Sequence, residues 1–231
     1  MNRPILLISI DPSMRNLGYA VHEITDWNKG KLIEVGAITN TEKAVQEHWH
    51  APAVHMAEML RCVISGILGS GTSIAYGVVV TELQEVFQAA KGQAAMDSGS
   101  IQKLYFFTGL ATAMLSQIEN VMSIWGVTPT KWKQQTKKEV MQYRAEQYMK
   151  NQDYEVHQGM PHDSAEAVLL GKYAISKMAW RCYRELHTLD FNEHIGLLSK
   201  SQDLMRREGT PTVEAVPVIN PEYHNITVTL F

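Results

Sequence analysis

Cysteine is scarce in this chain. Two thiols in 231 residues, Cys62 and Cys182, far apart and both in helically patterned segments, make neither a disulfide framework nor a cysteine zinc site, and both read as buried thiols. Long apolar runs are missing too. None approaches the ~18 residues of a membrane span, and the short run after Arg3 lacks a small-residue exit and stops at Asp11-Pro12, which excludes a signal peptide. These absences predict a cytoplasmic protein with no membrane partner. An excess of one charge is absent as well, with 21 basic and 24 acidic residues, a net charge of −3 and a pI near 6.3. That average gives no overall basic footprint for nucleic acid. Residues 66–72 have glycine spacing reminiscent of a phosphate loop but no lysine, which rules out nucleotide binding there. The sequon Asn225-Ile226-Thr227 has no secretory context. There is no internal repeat and no low-complexity tract.

Hydrophobic residues at 45% and charged residues at 19% describe a chain that folds, and the length suits one sizeable α/β core. Residues 5–10 read as a strand buried on both faces and halted by Asp11-Pro12. Residues 17–21 and 31–38 flank Asn28-Lys29-Gly30 as a hairpin. Met56, Leu60, Val63 and Ile67 then mark a helix face, with Pro52 as a break just before it. Residues 76–81 form a β-branched run that ends at Glu82. A mobile loop is expected over 88–100, followed by a helix carrying Leu104, Thr108, Ala111, Leu115 and Ile118 with small residues between. A strand over 121–127 ends at Thr128-Pro129, and a final core helix runs from 161 to about 187. The order is β-β-β-α-β-α-β-α-α: three antiparallel strands, then parallel ones, in a mixed sheet flanked by helices. Residues 188–231 follow as a polar connector and two short β-like runs around Asn220-Pro221, which divides the chain into a domain over 1–187 and an extension over 188–231.

The even charge conceals a block. Between Lys131 and Lys150 six basic residues face two acidic ones, whereas the rest of the chain carries 15 basic and 22 acidic. Lys131 and Lys133 flank Trp132, a pairing suited to phosphate contact and base stacking, and Lys137 and Lys138 follow. A solvated, charged helix start is the alternative reading of the same residues.

Two buried strands each deliver an acid at the carboxyl end, Asp11 and Glu82, and buried carboxylates must be paired or bound to metal. Asp163 and Glu166, three apart on one face of a helix start, complete a set of four. Four oxygen donors suit two hard divalent ions, Mg²⁺ with Mn²⁺ as substitute, which activate water and hold a leaving oxygen in phosphoryl transfer. Asp163-x-x-Glu166 is equally a capping box when taken alone. His162 reads either as an auxiliary group that positions water or as a solvated cap. Glu85 rivals Glu82 as the second acid.

The stretch Ile10-Asp11-Pro12-Ser13-Met14-Arg15-Asn16-Leu17-Gly18-Tyr19-Ala20 resembles the opening motif of RuvC-type Holliday junction resolvases. Residues 78–82 resemble that family's second acid-bearing strand, and Asp163-Ser164-Ala165-Glu166-Ala167 resembles its closing helix start. The motifs stand in family order over residues 5–186. Ser13 replaces the usual glycine, Glu166 replaces the last aspartate, and residues 187–231 have no family counterpart. The resemblance implies an RNase H-like fold, a homodimer, divalent metal and paired incision of four-way DNA junctions, and the look of residues 128–133 with the extended tail is of a phage-type member acting in the host cytoplasm. It also implies catalytic and metal roles for Asp11, Glu82, Asp163 and Glu166, and a junction-inserting role for Phe87. Nuclease action on flaps, forks or duplex DNA, a non-catalytic DNA-binding relative, and a sugar-kinase or actin-like ATPase are the competing readings. The last lacks the second phosphate loop and the length for a duplicated domain.

Overall fold

Seven consecutive buried residues form β1 (Ile5–Asp11), the strand on which the rest is built. A strand this apolar needs cover on both faces. Leu6, Ile8 and Ile10 pack into a core with α1 (His50–Gly69) and α2 (Ser100–Leu115). Ile5 and Leu7 point the other way, toward Leu170 and Ala174 of α5 (His162–Ala174). The computed structural model describes residues 4–26, 29–40, 49–69, 75–84, 99–134, 136–157, 159–179 and 226–230.

β1 pairs antiparallel with β2 (Asn16–Asp26), which pairs antiparallel with β3 (Lys29–Asn40). On its other side β1 runs parallel to β4 (Tyr76–Glu82), and β4 parallel to β5 (Val121–Val127). β6 (Ile226–Leu230) joins the free edge of β3, giving the order β5-β4-β1-β2-β3-β6. The five strands before β6 make the expected mixed sheet, three antiparallel strands and then parallel ones, with helices on both faces. The edge strand β6 is drawn from the 188–231 stretch. The first β-like run expected there, the connector and Cys182 lie outside the described residues.

Several expectations are corrected. The hairpin strands reach further than 17–21 and 31–38, because the ladder continues through irregularities between Val21 and His22 and between Ile24 and Asp26. The inner face of α1 is Ala53, Met56, Ala57, Leu60, Ile64 and Leu68, with Val63 and Ile67 only partly buried at its margin. Pro52 lies inside the first turn of α1, where its missing N–H is tolerated, rather than before the helix. α1 is also long and apolar enough to match a membrane span by length and composition, against the expectation of none, although it buries a full face on the sheet. Cys62 is exposed, because it faces away from that sheet. α5 runs to Ala174 and passes into a π-helical turn, Ile175–Ala179; the remainder of the expected helix, 180–187, lies outside the described residues. The loop expected over 88–100 lies outside the described residues up to 98, and α2 already begins at Ser100.

The basic block forms two helices, α3 (Pro129–Trp132) and α4 (Lys138–Lys150). α4 buries Met141, Ala145 and Met149 in the core shared with α5, which leaves its charges outward.

Candidate metal centre

Strand parity builds the site. Side chains alternate across a strand, so Ser9 and Asp11 share the face of Ile5 and Leu7, the side covered by α5. On β4, Val78 and Val80 also face α5, and Glu82 follows at the same parity. Ile10 stands opposite Thr81 in the parallel ladder, so Asp11 and Glu82 emerge side by side one residue later. Each strand turns at its acid, at Asp11-Pro12 and after Glu82.

α5 brings the third acid. Its first turn is pressed onto the hairpin, where a Cβ at Gly18 would collide with the Asp163 backbone, and Ser164 Oγ donates to Gly36 O at 2.9 Å. Further along, a side chain at Gly171 would collide with His22, so glycines at both ends of the interface permit the close approach. Glu166 is thereby aimed at the ends of β1 and β4. Asp11, Glu82 and Glu166 are 5%, 3% and 7% exposed, and one carboxylate oxygen of each lies within 4.8 Å of the other two.

The cluster contains its own cation. Lys133 Nζ donates to Glu166 Oε2 at 2.6 Å and lies 3.0 and 2.9 Å from the two oxygens of Glu82. Trp132 Nε1 donates to Glu82 Oε2 at 2.8 Å, and His162 Nε2 lies 2.9 Å from Glu166 Oε1. Burial pushes the Asp11 carboxyl well above the usual range, with the neighbouring charges of Glu82 and Glu166 adding to the rise. Burial also raises Glu82, and Glu166 adds to it, with Lys133 and Trp132 opposing. For Glu166, burial pushes upward but is outweighed by the bond and charge of Lys133, a hydrogen bond with Asp11 and the field of His162, so its carboxyl lies below the usual range. Lys133 is desolvated too, yet the three acids hold its ammonium above the usual lysine range. Burial and its acidic neighbours thus favour the protonated form of Asp11, while Lys133 favours the ionised form of Glu166 beside it. The set is held together because removing any one charge leaves the others buried and unpaired.

The other expected site residues separate around this cluster. Asp163 lies earlier on α5, outside the group of three; burial raises its carboxyl, with His162 lowering and Glu166 raising it, and its own charge adds to the rise of Asp11. The helix begins at His162 with Pro161 at its cap and no side-chain cap bond, so Asp163-x-x-Glu166 is not a capping box. Glu166 instead bonds Lys133 and His162. Lys131, Lys137 and Lys138 are exposed around the α3–α4 corner. Trp132 and Lys133, read as nucleic-acid contacts, turn inward onto Glu82. Glu85 and Phe87 lie outside the described residues.

Sequence reasoning missed that inward turn. The signal was the strand pairing: Glu82 stands opposite Val127 at the end of β5, so a short helix starting at Pro129 returns the chain to the acid end within one turn.

Three carboxylates from separate elements form a hard, all-oxygen donor set that fits Mg²⁺ or Mn²⁺ and not a soft ion. Lys133 holds in one place the positive charge that such an ion would supply.

No protein-family model matches the chain, and no curated protein matches it. Among solved structures it is similar to Thermus thermophilus RuvC in complex with Holliday junction substrate, at 14% identity and TM-score 0.48 over 72% of this chain and 90% of that one. Another Thermus thermophilus RuvC structure is similar at 16% identity and TM-score 0.46, over 74% and 93%. The yeast mitochondrial Holliday junction resolvase Ydc2 is similar at 13% identity and TM-score 0.45, over 78% and 81%.

Proposed function

We propose that this chain is a divalent-metal-dependent endodeoxyribonuclease that cuts phosphodiester bonds in branched DNA, as a homodimer making paired incisions in four-way junctions. The observation that carries the reading is the buried group Asp11, Glu82 and Glu166, whose oxygens converge within 4.8 Å around an ammonium. Buried acids are costly unless a cation is intended among them. The nuclease domain is taken as residues 1–187 with 188–231 as an extension, working in the cytoplasm.

When bound, two Mg²⁺ ions would supply Lewis acidity at the phosphate and lower the pKa of water for attack. Asp11, Glu82 and Glu166 would hold them, with Asp163 at the margin of the set. Asp11, whose protonated form burial favours without metal, would bind as the carboxylate. His162 orients Glu166 through Nε2, and Trp132 fixes one oxygen of Glu82. Lys133 would yield its carboxylate contacts to the ions, and its ammonium would then be free for a phosphate oxygen. Lys131, Lys137 and Lys138 add backbone contacts on the exposed corner, and Phe87 is assigned the junction centre.

The two-fold symmetry of such a substrate requires two sites. α2 offers a face for the dimer, with exposed Tyr105 and Phe106 and with open space around Gly109.

The test is incubation of the purified protein with synthetic four-way, flap and linear DNA, in Mg²⁺ and in EDTA. Symmetric nicks in the four-way substrate, abolished by EDTA, support the reading. Cleavage of all three alike removes the junction preference. No cleavage in Mg²⁺ or Mn²⁺ removes the nuclease. A second reading, a DNA-binding relative without catalysis, is favoured by Lys133, since its ammonium already neutralises the acids. That reading requires that the protein bind no Mn²⁺ at millimolar concentration.

A further inference from the structure

Lys29 and Lys31 on β3, Arg144 on α4 and Lys172 on α5 are four of the exposed cations that have no ion pair among the described side chains. They are not scattered. Arg144 and Lys172 line a cavity of about 240 Å³ whose wall includes Trp132 and Lys133. Lys172 and Ser176 also line a second cavity of about 440 Å³ with Lys29, Lys31 and Tyr148. The two cavities adjoin at Lys172 and Ser176 along the α4–α5 side and are read together as one groove. No described residue lining it carries a negative charge.

The groove starts at the acid cluster. Lys133, at one end, is the lysine bound to Glu82 and Glu166, and the far end opens at the tip of the β2–β3 hairpin. Glu166 and Ser176 are ten residues apart along α5 and its π-helical continuation, so the groove runs roughly 15 Å from the site. Its aromatics bear the cations, with Lys172 Nζ 4.9 Å from the centre of the Tyr148 ring and Lys133 Nζ 5.2 Å from that of Trp132. In a chain of net charge −3, a groove lined by five cations and no acids matches a polyanion in both sign and shape.

We propose that this groove is a track for a polynucleotide backbone, carrying one DNA strand away from the acid cluster toward the β2–β3 hairpin. It rests on the DNA reading above, and it adds contacts at Lys29, Lys31, Arg144 and Lys172, none of which belongs to the exposed corner of Lys131, Lys137 and Lys138. The spacing fits. In a duplex strand phosphates recur about every 3.4 Å along the axis, so roughly four to five fall along the track. The contacts are to phosphate, and the groove confers grip and direction on the strand without base specificity.

The test is equilibrium binding of a labelled four-way DNA junction in EDTA, over a range of salt, by the wild type and by the triple variant Lys29→Gln, Lys31→Gln, Lys172→Gln. All three side chains are exposed, and the melting temperature and Mn²⁺ affinity of the variant are measured beside it. Each lost phosphate contact removes about 0.9 from the slope of log affinity against log salt, so the variant should lose about 2–3 from the slope and tenfold or more in affinity at about 100 mM salt. Arg144→Gln alone should remove about one unit. An unchanged slope and affinity, in a wild type that binds the junction, overturns the track and leaves the nuclease reading standing. A wild type that binds no DNA at any salt overturns both. Polyglutamate serves as the second polyanion. If the triple variant loses binding to it while keeping DNA affinity, the groove belongs to an acidic polypeptide and the proposal fails.

Discussion

Lys133 donates to Glu166 at 2.6 Å while its ammonium also rests on both oxygens of Glu82, so one side chain neutralises two buried acids from different elements. A divalent ion and this ammonium compete for the same lone pairs. In this structure the cluster is held together by the lysine, and an ion bound by these acids would displace it.

Lys133→Met keeps much of the stem and removes the charge. It should raise the affinity of the protein for Mn²⁺ in the absence of DNA by about tenfold or more, read by titration calorimetry or paramagnetic resonance. Metal-free stability should fall, by less than the about 3–5 kcal/mol typical of breaking a fully buried pair, because the Lys133 side chain is 18% exposed and the acids can take up protons. Equal or weaker Mn²⁺ binding in the variant would show that the ammonium does not compete for the site.

Asp11→Asn imitates the protonated carboxyl that burial and its acidic neighbours favour. The folded-state pKa of Asp11 is raised, so its contribution is fully present below the unfolded value near 3.8 and is lost as pH rises through the folded value. The variant removes that loss, and metal-free Asp11→Asn should melt at or above the wild-type temperature at pH 7. Mg²⁺ should then stabilise only the wild type, by about 2.7 kcal/mol at a hundredfold excess over Kd. Cleavage should fall by about two orders of magnitude or more with junction binding retained. An equal Mg²⁺-dependent rise in melting temperature for both proteins would remove Asp11 from the metal set.

How far the site was legible follows from which interactions are local. Asp11 and Glu82 were readable because each ends an apolar run, and strand parity carries both to one face. Glu166 was readable as a helix-start acid, although its place in the acid cluster and not in a cap depends on where the helix begins, at His162. Lys133 was legible only as a charge. Its direction is set by the parallel pairing of β5 with β4, a long-range contact that no local pattern encodes. The inner face of α1 was displaced by one position for a similar reason. Val63 and Ile64 are both apolar, and only docking on the sheet decides between them. His22 gave no signal at all, since an isolated polar residue in a strand looks like an outward one.

The exposed face of α2 provides the dimer prediction. Tyr105 and Phe106 are 46% and 45% exposed, and no described residue lies within 4 Å of a Cβ placed on Gly109. Substituting Gly109→Arg should leave the monomer fold intact, since the position is open, and should convert a dimer into a monomer in sedimentation at micromolar concentration. Junction cleavage should then lose its paired character and leave single nicks. A wild type that sediments as a monomer with and without junction DNA would sink the prediction, as would a Gly109→Arg protein that remains dimeric.

His22 supplies a prediction that does not depend on metal. Its ring is fully buried on β2 against Gly171, its centroid is 6.0 Å from that of Tyr148, and neither ring nitrogen has a hydrogen-bond partner among the described residues. Burial lowers its pKa to about 3 from 6.5. The unfolded chain then binds a proton below about pH 6.5 that the folded chain refuses, so stability is complete above that pH and falls as pH drops toward 3, at up to about 1.4 kcal/mol per pH unit. Other groups act on the same range. Glu166, held low, also loses stability in acid, whereas Asp11, Glu82 and Asp163, held high, oppose that loss. The total acid limb is therefore not diagnostic, but the difference between two proteins is. His22→Leu removes one titrating group from the α5 interface and leaves the acid cluster untouched. Urea unfolding at intervals from pH 7 to pH 4 should show wild-type stability falling relative to the variant by close to one proton's slope below pH 6. Parallel curves would mean that the folded protein accepts the proton on His22, and that the ring is not sealed between β2 and α5.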